Sequence, residues 1–224
     1  MYLQSLKGYD NLVNDFKDSY KGWYNRNQSK ELDITNKELI MYFSLEKGFN
    51  VDMMPLTFQK LVKGSNVYID QNIKGEILSW FSDEILKYIL NGTNKSYDEW
   101  HSKLGNAFVV KVNNELFKDK YYPMQYGKAQ KLINMTMKYL STCDNADKYE
   151  ERFKDCHMAL DSKILDWYYN EVRPDIKKSY RKSWSSLDEI SYFEIQNDIR
   201  EYCKTHNYIP FVQEWPIWAE YMKK

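Results

Sequence analysis

Apolar side chains recur at three- and four-residue spacing along most of this chain, and no long stretch alternates apolar with polar residues. That spacing is the repeat of a helix buried on one side; a half-buried strand repeats every second residue. Glycine and proline are few, 8 and 5 in 224 residues, so the helices meet few breakers. The expected fold is all-α: a helical globule of two lobes, about 1–92 and 93–224, around a central cleft. It is read as a single domain with at most one short extended piece.

The periodic stretches follow one another along the chain. In residues 9–24, Leu12, Phe16, Tyr20 and Trp23 form one apolar stripe, and the polar run NRNQSKELD follows as a loop. Asn36 reads as the N-cap of a helix that buries Leu39, Ile40, Phe43 and Phe49. Pro55, Gly64 and the alternation in Val67–Ile69 leave residues 50–75 to a loop and one short extended piece. From Glu76 a wide face of Ile77, Trp80, Phe81, Ile85, Tyr88 and Ile89 runs to a stop at Asn91-Gly92. Ser96-Tyr-Asp-Glu99 is a capping-box pattern opening a helix through Trp100, Leu104 and Phe108, with Gly105 weakening it. A second such box, Ser186-Leu-Asp-Glu189, is expected to start a helix through Phe193, Gln196, Ile199 and Cys203. Pro174 and Pro210 read as breaks, and EWPIWAEYMKK as a short terminal helix with its proline in the first turn.

Composition narrows the functional classes. Lysine plus arginine total 32, and so do aspartate plus glutamate. A globally basic nucleic-acid binder is excluded, while a local basic face is not. Aromatic residues make up 17% of the chain, material for packing, stacking platforms and interfaces alike. Cys143, Cys156 and Cys203 have no CxxC spacing, and the Met-Tyr-Leu-Gln start has no signal-peptide character, so a cytoplasmic location is expected. No run reaches the length of a membrane helix, and no membrane partner is expected. His101, His157 and His206 are scattered without metal-ligand spacing, so neither a metal nor another cofactor is expected. The chain has no P-loop, no GxGxxG after a strand and no GxSxG.

Two helix starts carry the residues that chemistry would use. Tyr122 to Leu140 reads as a turn feeding an amphipathic helix with Lys128, Lys131 and Lys138. Ala129, Leu132, Ile133, Met135, Thr136 and Tyr139/Leu140 supply its buried side. The lysines are either an ordinary solvated stripe or, for Lys128 on the first turn, a cation where the positive helix end already attracts anions. A desolvated lysine there could serve as a nucleophilic amine. Asp161 opens the next helix; it is either a plain N-cap or a carboxylate that orients a lysine or steadies a cationic sugar. His157, four residues earlier, is expected to bond a neighbouring carbonyl.

The segment Tyr122-Pro123-Met124-Gln125-Tyr126-Gly127-Lys128-Ala129, followed by Met158-Ala159-Leu160-Asp161, resembles the active-site region of the helix-hairpin-helix DNA glycosylase superfamily. The 8-oxoguanine glycosylase branches are most similar, the archaeal one included. In that family a Leu-Pro-Gly-Val-Gly hairpin ends in a catalytic lysine, and an apolar-Pro-apolar-Asp segment carries the catalytic aspartate. Pro123 matches the hairpin proline, Lys128 the lysine and Asp161 the aspartate. Met124 and Tyr126 stand where the hairpin has glycines, and Ala159 replaces the proline. The resemblance implies that Lys128 attacks C1′ of a flipped nucleotide while Asp161 assists proton transfer, with Tyr126 and His157 in support. It also implies that Lys131 and the run Lys177, Lys178, Tyr180, Arg181, Lys182 and Trp184 hold the DNA backbone.

The expected function is a base-excision-like glycosylase or lyase acting on a modified or damaged base. The alternatives are a non-catalytic module binding DNA or RNA through the same surface, and a helical interaction factor docking a protein through its aromatic C-terminus.

Overall fold

The structure, a computed structural model, describes residues 31–44, 70–116 and 124–222, together with Asn11, Val13, Asn14 and Trp23. Among these residues the chain is mostly helical and has no strand. Asn11, Val13, Asn14 and Trp23 are helical, and Trp23 is buried. Leu12, Phe16 and Tyr20 of the first stripe, Phe49, the 50–69 stretch with its extended piece, and Tyr122-Pro123 lie outside the described residues.

Helix α1 (Lys37–Tyr42) starts as its sequence predicts, with the Asn36 side chain accepting from the amides of Glu38 and Leu39. Helix α2 (Gln71–Asn91) begins five residues earlier than its apolar stripe, because the Asp70 carboxylate caps the amides of Asn72 and Ile73. Polar residues after a good cap extend a helix that hydrophobic periodicity alone cannot detect. Gly92 ends it at φ 69°, a left-handed conformation that glycine adopts without strain.

Helix α3 (Tyr97–Lys111) opens with the complete capping box: Ser96 covers the Glu99 amide, and the Glu99 carboxylate accepts from the Ser96 amide. A π-helical turn, Val112–Leu116, continues it. Gly105 does more than weaken this helix. A Cβ there would come within 2.7 Å of the Tyr126 ring, so its absence lets α3 press against the start of α4 (Tyr126–Leu140). Helix α4 is the central element, with only Lys131, Met135 and Tyr139 of its residues less than buried. Its amphipathic face predicts one buried side; the neighbours cover nearly all of it.

After α4 the chain makes a 3₁₀ segment, Ala146–Arg152, then runs without regular structure from His157 into α5 (Ser162–Trp167). A π-helical turn, Tyr168–Val172, precedes Pro174. Helix α6 (Glu189–Thr205) is capped by Asp188, whose carboxylate accepts from the Ser191 amide. The box expected at Ser186–Glu189 is therefore corrected. Ser186 instead bonds the Ser183 carbonyl, and Glu189 accepts from the Ser102 hydroxyl on α3. A carboxylate two residues downstream is the competing acceptor, and it wins the cap. Helix α7 (Pro210–Met222) begins at Pro210, so that proline starts a helix where a break was expected, and Pro216 lies inside it.

Two apolar clusters form the interior. One joins Ile77, Phe81 and Ile85 of α2 with Leu104 and Phe108 of α3 and Leu132, Ile133 and Met137 of α4. The other gathers Tyr126, Met158, Leu160, Ile164, Leu187, Tyr192 and Ile199. Helix α4 contributes to both, so the division of the core runs along α4 itself.

Candidate functional site

Lys128 sits in the first turn of α4, almost fully buried, with Nζ 4.4 Å from the centre of the Trp184 ring. Lys131, one turn on, approaches the same ring at 4.5 Å. Trp184 is thus approached by two lysines and serves as their cation–π partner. The contact is enforced by Gly127: a Cβ there would lie 1.9 Å from the Trp184 carbonyl oxygen. The Gly127 amide donates to the Leu187 carbonyl at 2.8 Å, so one of the amides that a helix start offers to an anion is already used.

Asp161 caps α5, and both of its cap bonds, from the amides of Lys163 and Ile164, land on Oδ1. The capping account is therefore correct for one oxygen, while Oδ2 makes no hydrogen bond among the described residues. The strap from His157 to Asp161 is held on two sides. From α4, the buried Gln130 side chain donates to the Leu160 carbonyl at 2.8 Å and accepts from the Leu160 amide at 3.2 Å. From α7, Glu214 accepts from the Ala159 amide at 2.9 Å and from Lys138 Nζ at 2.6 Å. Lys138 and Glu214 are each about 1% exposed, so Lys138 belongs to a buried ion pair rather than to a solvated stripe. Burial pushes the Glu214 carboxyl up, and Lys138 and the Ala159 amide pull it back down.

Beside the strap lies a connected polar network. His157 does not bond a neighbouring carbonyl, as expected from its position. Its Nδ1 meets Tyr192 Oη at 2.7 Å and its Nε2 meets Asp98 Oδ1 at 2.8 Å. Arg200 grips the same carboxylate with both terminal nitrogens at 2.7 Å. His101 contacts Tyr126 Oη through Nδ1 at 2.8 Å, and Asn134 Oδ1 and Tyr192 Oη through Nε2 at 3.1 and 3.2 Å. Bond counting orients the chain. The Asn134 amide nitrogen donates to the Met158 carbonyl and to Tyr192 Oη, so Asn134 Oδ1 must accept and His101 carries its proton on Nε2. Asp98 likewise requires the proton of His157 on Nε2, leaving Nδ1 to accept from Tyr192. Both imidazoles are then neutral. Burial holds His101 well below the ordinary histidine range, with His157 adding to it. Burial also lowers His157, against the opposing pull of Asp98. Hydrogen bonds from His157 and Arg200 outweigh the desolvation of Asp98 and keep its carboxyl far below the usual range. Tyr192 and Tyr126 are pushed upward by burial, so neither phenol is an acid or nucleophile near neutral pH.

Tyr126 and His157, predicted as supporting residues, thus join one network through His101 and Tyr192. The basic run is arranged differently. Lys177, Lys178 and Tyr180 are exposed, Tyr180 at 74%. Arg181 stacks over Tyr169 at 5.0 Å, and Lys182 pairs with Asp188 at 3.5 Å and Ser191. Lys177, Tyr180 and Lys182 line a cavity of about 690 Å³ that also holds Arg173, Asp198 and Glu194. Arg173 is tied to Asp175 and Asp198 at 2.8 and 2.9 Å, so this surface mixes charges of both signs. At the C-terminus Trp215 is fully buried, and Lys138 and Lys163 approach Trp215 and Trp218 at 4.6 and 4.0 Å.

Gln130, Asn134, Tyr192 and Arg200 escaped the sequence reading, and Lys138 and Gln196 entered it only as one lysine of a set and one residue of a helix, although Gln130, Asn134 and Lys138 fall on one line of α4 and Tyr192, Gln196 and Arg200 on one line of α6. Each set repeats at four residues on one helix, a polar line within an apolar pattern, and that was the available signal. Asp98 and His101 sit on the first turns of α3 and gave none. Among the described residues no three of His, Cys, Asp and Glu form a metal-binding group, and no helix is long and apolar enough to cross a membrane. No protein-family model matches the chain, and neither a curated protein nor a solved structure does.

Proposed function

We propose that the chain acts on a nucleotide turned out of DNA, as a base-excision-like glycosylase or lyase with Lys128 and Asp161 as its reacting pair. Lys128 would pass its ammonium proton to Asp161 and attack C1′ as the bond to the base breaks, and that proton would leave with the base. The resulting iminium would be hydrolysed by water. Asp161 would relay the proton through Oδ2 and steady positive charge on the sugar, its Oδ1 remaining on the cap. The observation that supports this reading is the double hydrogen bond of Gln130 to Leu160. It ties the α4 turn that bears Lys128 to the residue immediately before Asp161, so two helix starts share one rigid support.

Borohydride trapping on duplexes containing abasic sites and a panel of modified bases tests the proposal. An adduct is expected with the native chain, none with Lys128→Ala, and strongly reduced base release with Asp161→Asn. Absence of both adduct and base release across the panel would sink it.

The exposure of Lys177, Lys178 and Tyr180 favours a second reading, a non-catalytic nucleic-acid module. That reading expects binding that weakens steeply with salt, survives Lys128→Ala and Asp161→Asn, and fails with Lys177→Ala/Lys178→Ala.

A further inference from the structure

We propose that residues 183–186 form a lid over Lys128, closed in this structure by the Trp184 ring. The lid is a single 3₁₀ turn, Trp184–Ser186, between Ser183 and Leu187, both in extended conformation. Its two ends are tied to the body of the protein. The Lys182 amide donates to Tyr169 Oη at 2.9 Å, and the Leu187 carbonyl accepts from the Gly127 amide at 2.8 Å. Between those ties, every hydrogen bond among the described residues stays within 183–187. The Ser186 amide and hydroxyl both donate to the Ser183 carbonyl at 3.0 Å, and the Ser183 and Ser185 hydroxyls meet at 3.2 Å. The Leu187 amide reaches the Trp184 carbonyl at 3.5 Å. What holds the turn down is the Trp184 ring, which packs against both apolar clusters and is approached by Lys128 and Lys131 at 4.4 and 4.5 Å.

A turn held in this way can lift without unfolding its surroundings. None of its own hydrogen bonds crosses to the body, so opening strands no buried donor or acceptor. Opening gives up only apolar contact and cation–π attraction, and those favour the closed form. The seat is shaped for the lid, because a Cβ on Gly127 would lie 1.9 Å from the Trp184 carbonyl oxygen. The consequence falls on Lys128. It is 5% exposed, and an amine attacks from about 3–3.5 Å, so no sugar carbon reaches Nζ while the ring is seated. Such a lid keeps a buried amine from condensing with any passing aldehyde and frees it when the turn lifts. The task given to the lid rests on the glycosylase reading of Lys128, whereas the lid itself rests on the contacts of Trp184.

Pulsed acetylation of the lysines in the full chain, without DNA and read by peptide mass spectrometry, tests the proposal. In the native chain the exposed Lys177 and Lys178 should label fastest and the buried Lys138 slowest, with Lys128 between them. Lys138 is released only when its partner Glu214 on α7 moves away, Lys128 when one turn lifts. Trp184→Ala removes both cation–π contacts and should raise the Lys128 rate by about tenfold or more, leaving Lys138 unchanged. Trp184→Phe keeps a ring with a weaker cation–π face and should raise it less. If the alanine variant does not fold, the phenylalanine variant decides, and a Lys128 rate equal to that of the native chain overturns the lid. Three further results would also overturn it: native Lys128 labelling as slowly as Lys138, native Lys128 labelling as fast as Lys177, or Lys128 and Lys138 accelerating together in the variant. Because the labelling uses no DNA, its failure removes the lid and leaves the glycosylase reading standing, and a failed borohydride trap does the reverse.

Discussion

The interior between α2 and α3 and the interior between α4, α6 and α7 are held by different forces. In the first, Phe81 and Phe108 meet edge to face at 5.6 Å, and Ile85, Leu104, Leu132 and Ile133 close around them. In the second, Tyr192 lies among His101, His157 and Asn134, and Lys138 and Glu214 pair out of water. Dispersion and apolar burial vary smoothly with shape, so an apolar interior accepts a volume-conserving change. Hydrogen-bonded groups answer abruptly: a lost partner strands a polar atom that water cannot reach. One half of this molecule should therefore tolerate repacking, and the other should not.

The largest effect is expected at the ion pair. Lys138→Met leaves the Glu214 carboxylate buried without its cation and should cost about 3–5 kcal/mol in a urea unfolding series. Adding Glu214→Gln removes the charge yet keeps an acceptor for the Ala159 amide, and should recover most of the loss. A double variant as unstable as the single one would show that packing around Trp215 holds the region, and the contrast would fail. A paired substitution sharpens it further. Leu132→Met, apolar for apolar at nearly equal volume, should cost less than about 1.5 kcal/mol. Asn134→Leu, similar in size, removes partners of His101, Tyr192 and Met158 and should cost about 1–3 kcal/mol for each group stranded. Equal tolerance at the two sites would break the comparison.

The same contrast explains what the sequence made legible. Leu39, Phe81, Ile85, Leu104 and Phe108 announce themselves by spacing, and the all-α fold follows from spacing and caps at Asn36, Ser96 and Asp161. The polar interior is assembled from α3, α4, the strap and α6, segments up to 102 residues apart in the Asp98–Arg200 pair. Nothing local distinguishes a histidine that will lie beneath a tyrosine from one that will face water. Lys128 was recognised by position alone, and its partner Trp184 was assigned to a different task. Gly105 read only as a helix-weakening residue, and Gly127 only as the residue ahead of Lys128, because a sequence does not reveal what presses against the missing Cβ.

Acid should attack the polar interior first. His101 and His157 both titrate lower when folded than the ordinary 6.5, so below that pH the unfolded chain binds protons the folded chain refuses. Stability contributed by the neutral pair is complete above about pH 6.5 and is lost as pH falls through that value toward the folded values. Glu214 works the other way: its folded value is raised, so the stability that it adds at low pH disappears as pH rises through that value. Two imidazoles against one carboxyl leave a net loss on acidification of about 1.4 kcal/mol per pH unit for each proton in excess. Urea midpoints between pH 7 and 5 should fall accordingly, and Glu214→Gln should steepen the fall by removing the opposing titration. A flat profile would mean that the imidazoles do not stay neutral in the folded protein.

The smallest effect compares two serines that look alike in sequence, one in each region. Ser96 covers the Glu99 amide at 3.2 Å, and Ser96→Ala should cost about 1 kcal/mol, the worth of an N-cap. Ser186 occupies the same place in the same four-residue pattern, but Asp188 holds the cap of α6 through the Ser191 amide at 2.7 Å. Ser186 is exposed and bonds only the Ser183 carbonyl among the described residues, so Ser186→Ala should change stability by less than about 0.5 kcal/mol. Asp188→Ala should take over the cost that the pattern assigns to the serine. If Ser186→Ala proved as costly as Ser96→Ala, the start of α6 would lie two residues earlier in solution, and the placement of Trp184 against Lys128 and Lys131 would have to change with it.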